Sequence, residues 1–176
     1  MEVTIRRART TDVRAVRGLI DAYSRDGILL DKPTVTLFES VQEFWVAERD
    51  DTGAVVACGA LHVMWEDLAE VRTLAVDPSC RGHGLGHQVL DKLLQTARWL
   101  GVRRIFCLTF EVDFFEKHGF VEIGETDDRT SDPAAVATEV YEELLRSYDE
   151  GVAEFLDLER VKPNTLGNSR MLLRLY

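Results

Sequence analysis

Apolar and polar residues alternate from Val3 to Arg7, the two-residue period of a half-exposed strand. After Thr10-Thr11-Asp12, a plausible helix start, apolar residues return at Val13, Val16, Leu19 and Ile20, the spacing of one helical face. Asp26-Gly27 ends that helix, and Thr34 to Val41 predicts a short second one after Pro33. Glu43 to Glu48 reads as a strand, Asp50 to Gly53 as a turn, and Ala54 to Met64 as the return strand of a hairpin. Glu70 to Val76 predicts the next strand. Gly84 to Leu100 predicts a long helix with Val89, Leu90, Leu93, Leu94 and Ala97 on its core face and Gly101 at its end. Arg104 to Thr109 reads as a strand returning parallel to its predecessor. In the tail, Thr126 to Asp132 reads as a polar loop, Ala134 to Tyr148 as a helix, Gly151 to Leu158 as a turn or two more, and Ser169 to Leu175 as a closing strand. No repeat or long linker divides the chain, so residues 1–176 are expected to form one domain.

The junction between the strand at Glu70–Val76 and the long helix carries the strongest chemical signal. It reads Asp77-Pro78-Ser79-Cys80-Arg81-Gly82-His83-Gly84-Leu85-Gly86. Three glycines there leave backbone N–H groups uncovered, and a helix start adds its first-turn donors and positive dipole end. Such a loop suits a pyrophosphate, and Arg81 adds a fixed cation. A P-loop would continue Gly-Lys-Ser/Thr, whereas Gly86 is followed by His87-Gln88. A dinucleotide-binding fingerprint would space its glycines G-x-G-x-x-G after the first strand, and neither condition holds. From glycine content alone, a purely structural turn is an equal alternative.

Composition narrows the partners. The net charge of −10 argues against nucleic-acid or anionic-membrane surfaces. Residues 111–160 hold 16 Asp/Glu against 4 Lys/Arg, which reads first as a solvated face and second as an attraction for cationic substrates. No apolar run approaches a membrane span, and the N-terminus has no signal-peptide pattern. Cys58, Cys80 and Cys107 lack paired spacing and are expected as free thiols in a reducing cytoplasm. His83 and His87 stand four apart but lack a third partner, so no metal is expected.

Arg81-Gly82-His83-Gly84-Leu85-Gly86 resembles the R/Q-x-x-G-x-G/A loop of the GCN5-related N-acetyltransferases. Phe114-Phe115-Glu116-Lys117-His118-Gly119-Phe120 resembles that family's F-Y-x-x-x-G-F segment, one helix and one strand further on. The element order βααβββαβαβ agrees. The resemblance implies an α/β (α+β) fold: a central, mixed but mostly antiparallel sheet with a splayed parallel pair, flanked by helices. It also implies acetyl-CoA as co-substrate. Leu74, Ala75 and Val76 would bind the pantetheine arm. Arg81, Gly82, His83, Gly84, Leu85 and Gly86 would bind the pyrophosphate, and Phe115 would lie at the coenzyme. Acetyl transfer needs a proton acceptor for the amine and a donor for the oxyanion. Glu70 is the candidate base and the Leu74 N–H the candidate oxyanion donor. Thr73 and Thr109 could offer hydroxyls to the amine, or serve only as strand residues. Many family members donate a proton to the leaving thiolate from a Tyr where this chain has Phe115, which has none to give.

Four further patches resemble the acetyltransferase domain of bacterial N-acetylglutamate synthases: Ile5-Arg6-Arg7-Ala8, Gly27-Ile28-Leu29-Leu30, Glu70-Val71-Arg72-Thr73-Leu74-Ala75-Val76 and Asn168-Ser169-Arg170-Met171-Leu172. The resemblance implies direct acetylation of the α-amine of glutamate, the first step of arginine biosynthesis, without an acyl-enzyme. Lys32 and Arg72 would hold acceptor carboxylates, with Asn168, Ser169 and Arg170 at the closing segment. Gly167 stands where that family has Arg before Asn-Ser, which makes glutamine a second acceptor to test. The larger synthases carry an amino-acid-kinase-like domain for which 176 residues leave no room, so the chain reads as a short form. The sequence does not reveal the oligomeric state; by analogy alone, the closing strand offers an edge for a homodimer. Two other readings stay open: an acetyltransferase for a polyamine or aminoglycoside, and a non-catalytic acyl-CoA-sensing module.

Overall fold

The computed structural model describes residues 1–29, 31–123, 135–158 and 167–176. The loop expected over 126–132, the first residue of the helix expected from Ala134, and Leu30 of the Gly-Ile-Leu segment lie outside the described residues. The elements in chain order are β1 (Val3–Arg7), α1 (Val13–Ser24), α2 (Thr34–Glu39), β2 (Phe44–Arg49), β3 (Val55–Trp65), β4 (Leu68–Val76), α3 (Leu85–Leu100), β5 (Arg104–Thr109), α4 (Val112–Glu116), β6 (Val121–Glu122), α5 (Thr138–Leu144), α6 (Glu150–Phe155) and β7 (Ser169–Arg174). The seven strands form one mixed sheet in the order β1-β2-β3-β4-β5-β7-β6, with β4 and β5 parallel. The chain folds as two compact units: residues 1–62 with 71–100, and residues 63–70 with 101–176.

In the first unit, β1 pairs antiparallel with β2 from Val3/Arg49 to Arg7/Trp45. The α1 stripe read from the sequence, Val13, Val16, Leu19 and Ile20, is buried together with Tyr23 in a core shared with Leu37, Phe44, Val46 and Cys58. Arg6 fixes the turn into α1. Its guanidinium donates to Asp12 at 2.7 and 3.0 Å and to Glu48 at 3.0 Å. Asp12 also accepts the Arg9 N–H at 2.7 Å, closing the helix start. Helix α3 buries Leu85, Val89, Leu90, Leu93, Leu94 and Ala97. It packs close to β3 because residue 59 is glycine. A Cβ there would meet Leu74, Val89 and Leu93 at 3.0–3.1 Å.

In the second unit, β5 pairs in parallel with the start of β4, from Leu68/Arg104 to Glu70/Phe106. On its other side β5 pairs antiparallel with β7, from Arg104/Arg174 to Thr109/Ser169. Leu68, Phe106, Ile123, Phe155 and Leu172 form the core. The closing strand does not offer the edge expected for a dimer. Strand β6 covers it, pairing Val121 with Leu172 and Glu122 with Met171. The reason is local: Gly119, at φ +86°, turns the chain after α4 so that Phe120 is buried and β6 runs back along β7.

Candidate active site

The glycine loop of the first unit has the backbone expected of an anion cradle. Asp77 stops β4: its carboxylate accepts from the Ser79 N–H at 2.8 Å and the Ser79 hydroxyl at 2.6 Å, and its own N–H reaches the Val56 carbonyl at 2.8 Å. Gly82 and Gly84 then take φ +80° and +73°. No atom lies within 4 Å of a Cβ added at either, so backbone conformation rather than space requires glycine. The first backbone bond of α3 runs from the Gln88 N–H to the Gly84 carbonyl at 3.1 Å. The N–H groups before it belong to the donor set of a helix start, which favours anions. Arg81 is positioned by Tyr23. Its Nε donates to the phenol oxygen at 3.2 Å, and its guanidinium lies 5.1 Å over the ring. The Tyr23 hydroxyl in turn donates to the Val76 carbonyl. His83 turns Nδ1 back to the Cys80 and Arg81 carbonyls at 3.2 and 3.0 Å, bracing the loop. These residues fit the pyrophosphate of acetyl-CoA.

Within β4, Thr73 takes φ +56°, a left-handed conformation rare for a β-branched residue. A residue in that region re-aims the backbone groups that follow. Those are the groups of Leu74, Ala75 and Val76. Leu74 is half-buried and Ala75 buried. The Cys58 thiol donates to the Thr73 carbonyl at 3.5 Å. Burial pushes the Cys58 thiol up to about 12, so it stays protonated. Arg72 is half-buried. Lys32 is half-buried too, and its carbonyl accepts from Arg17, which also binds Asp31 at 2.6 Å.

In the second unit Glu70 is buried, 7% exposed. Its register partner Phe106 places it on the same sheet face as Leu68, Phe106 and Leu172. Arg170 shares that face. Its guanidinium donates to the carbonyls of Glu154 at 3.2 Å and Phe155 at 2.6 Å, the end of α6. Thr109 and Ser169 pair with each other and alternate to the opposite face. Thr109 is buried and its Oγ accepts the Glu111 N–H at 2.9 Å. Ser169 donates to Glu122, and Asn168 is half-buried. Phe115 is buried, edge-on to Phe114 and Phe120 with centroids at 5.1 Å. Cys107 is buried, and burial together with Glu70 holds its thiol well above the usual range. Among the described residues, no three His, Cys, Asp or Glu side chains gather as a metal site, and no helix is long and apolar enough to cross a membrane.

Glu154 was missed from the sequence. It is 3% exposed, and burial, then the charge of Glu70, pushes its carboxyl up to about 7. Its signal was a lone carboxylate inside Val152-Ala153-Glu154-Phe155-Leu156.

The comparisons with known proteins agree with this architecture. Residues 16–120 match the Acetyltransferase (GNAT) family, and the chain belongs to that family. An amino-acid acetyltransferase of Mycobacterium tuberculosis is 59% identical over 96% of this chain and 92% of its own length. A crystal structure of a Mycobacterium tuberculosis protein in complex with CoA and NLQ matches with 59% identity and a TM-score of 0.88, covering 98% of this chain and 99% of the other. The N-acetylglutamate synthase of Neisseria gonorrhoeae, complexed with coenzyme A and L-arginine, matches at 25% identity and a TM-score of 0.65; the match covers 99% of this chain and 33% of the longer one. The family match makes the chain an acetyltransferase.

Proposed function

We propose that the acceptor is the α-amine of L-glutamate or L-glutamine and that the reaction is the first step of arginine biosynthesis. The observation that carries this reading is the buried carboxylate of Glu70, held on the strand that continues through the left-handed Thr73 to the glycine loop. Acetyl-CoA supplies an activated acetyl group. The chain's own groups do the rest. Glu70 takes a proton from the α-ammonium, directly or through a water. The Leu74 N–H donates to the oxygen that gains charge. Thr73 lies at the amine, Lys32 and Arg72 hold acceptor carboxylates, and Asn168 holds the far end of the acceptor, while Thr109 and Ser169, on the face opposite Glu70, take no part in this reading. Cys58 and Cys107, kept protonated by burial, are poor nucleophiles, which supports direct transfer over an acyl-enzyme. The three buried free thiols support a reducing, cytoplasmic setting.

Glutamine is favoured at the far end. Gly167 offers no guanidinium, and Arg170 spends two donors on the end of α6. An uncharged amide then suits the site better than a second carboxylate. Release of free thiol from acetyl-CoA, measured side by side with glutamate, glutamine, aspartate, spermidine and an aminoglycoside, tests the reading. Turnover with glutamine above glutamate, and none with the amines, is expected. Turnover only with the cationic amines would overturn it.

A further inference from the structure

Two carboxylic acids are buried on one face of the second unit, and the reaction above uses only Glu70. The register relates them. Glu70 pairs with Phe106, and Phe106 with Leu172, so their side chains share a face. Helix α6 covers that face. Phe155 stands edge-on to Phe106 at 5.5 Å and joins Leu68 and Leu172 in the core. Glu154 is the preceding residue. Arg170 clamps the end of α6 through the carbonyls of Glu154 and Phe155, so Glu154 is fixed by its backbone.

The carboxyl of Glu154 has been left without such support. Its Oε2 is sealed from solvent and has no hydrogen-bond partner among the described residues. A buried carboxylate in that state is costly, and a bound proton removes the cost. The charges around it decide how firmly. Burial raises its proton affinity most, Glu70 on β4 next, and Asp157 and Glu150 at the ends of α6 add to this; Arg170 on β7 opposes. On β5, Cys107 is a buried neutral thiol on the opposite sheet face, and the charge of Glu70 helps to keep it protonated.

We infer that Glu154 is the proton-holding partner of Glu70: in the resting site the pair carries one proton, on Glu154, and losing it makes Glu70 a stronger base. This rests on Glu70 being the base proposed above. In the balanced step the α-ammonium gives one proton to Glu70, and nitrogen bonds to the acetyl carbon as the carbon–sulfur bond breaks. The thiolate takes up a proton, the nitrogen loses its second, and one proton leaves to solvent. Glu154 touches no reacting atom; it is a positioning residue that sets the charge beside Glu70.

Two measurements test this. In the first, kcat is followed against pH for the wild type and Glu154→Gln. The wild-type rate should rise through pH about 7. In Glu154→Gln that rise should move down by roughly one pH unit or more, the plateau should drop about 3–10-fold, and the acetyl-CoA KM should stay within about twofold. Superimposable profiles would overturn the inference. The second needs no acceptor: infrared titration of the carboxylic-acid band in protein labelled with 13C-glutamate. A band titrating near pH 7 is expected in the wild type, absent in Glu154→Gln and shifted to lower pH in Glu70→Gln. No such band in the wild type would overturn the inference. The wild type and Glu70→Gln decide it should Glu154→Gln fail to fold. Because the infrared measurement involves no turnover, a wrong acceptor assignment leaves its result standing.

Discussion

Asp12 in the first unit and Glu154 in the second are both buried acids, 7% and 3% exposed, yet their proton affinities are shifted in opposite directions. Asp12 receives two hydrogen bonds from Arg6 and one from the Arg9 N–H, and Arg6 holds its carboxyl below the usual carboxylate range. For Glu154, burial and then the charge of Glu70 raise the carboxyl to about 7. Burial raises both, and a cation with its hydrogen bonds reverses that at Asp12 while nothing reverses it at Glu154. Asp12 is a fixed strut at a helix start. Glu154 is poised to change state inside the range where enzymes work.

The contrast can be broken from several sides. The largest effect is expected from Glu70→Gln, which removes the charge that faces Glu154 and the proposed base together. Its kcat should fall by roughly 10²–10⁴. A rate unchanged at every pH, in steady-state assays with the preferred amino acid, would remove Glu70 from the mechanism. Gly84→Val comes next and touches only the first unit. At φ +73° a β-branched residue adds about 1–3 kcal/mol of strain, and the acetyl-CoA KM should rise on the order of tenfold while pH dependence stays unchanged. Arg6→Ala strands Asp12 and Glu48 and should cost about 2–4 kcal/mol in urea unfolding.

The smallest effect is the most diagnostic. Asp12 has a depressed folded value, so its contribution is present above the unfolded carboxylate range and is lost as pH falls through the folded value. Glu154 has a raised folded value. Its contribution is full below the unfolded value of 4.5 and is lost as pH rises through about 7. Thermal melts should therefore show Asp12→Asn losing its deficit at low pH. Glu154→Gln should gain on the wild type between pH 5 and 8, by about 2–4 °C for each kcal/mol. Parallel melting curves for the wild type and Glu154→Gln across that range would contradict the assigned protonation.

What was legible in the sequence follows the same division. The glycine loop and α3 could be read because their chemistry lies in the backbone, and glycine spacing and helical period report backbone directly. The α1 face and six of the strands were legible for the same reason. Side-chain chemistry was harder. Glu70 was picked out only through a family resemblance, since a carboxylate on a strand looks solvated until its burial is known. Glu154 was invisible because its meaning depends on α6 lying over Phe106, a packing fact. Arg170, expected at the acceptor, spends donors on the end of α6, which no local pattern reports. Thr73 was picked out for its hydroxyl within a regular strand, and its left-handed backbone emerges only from the fold. The two-residue strand β6 is too short to announce itself, so the closing strand looked like an edge.

The most direct test of the account is calorimetric titration of acetyl-CoA into Glu70→Gln. In the proposed reaction, coenzyme binding rests on the backbone of the first unit and proton transfer on the buried acids of the second. An affinity within about twofold of the wild type is expected in a variant whose acetyl transfer is nearly abolished. A loss of affinity in proportion to the loss of turnover would contradict that division and make Glu70 part of the coenzyme site.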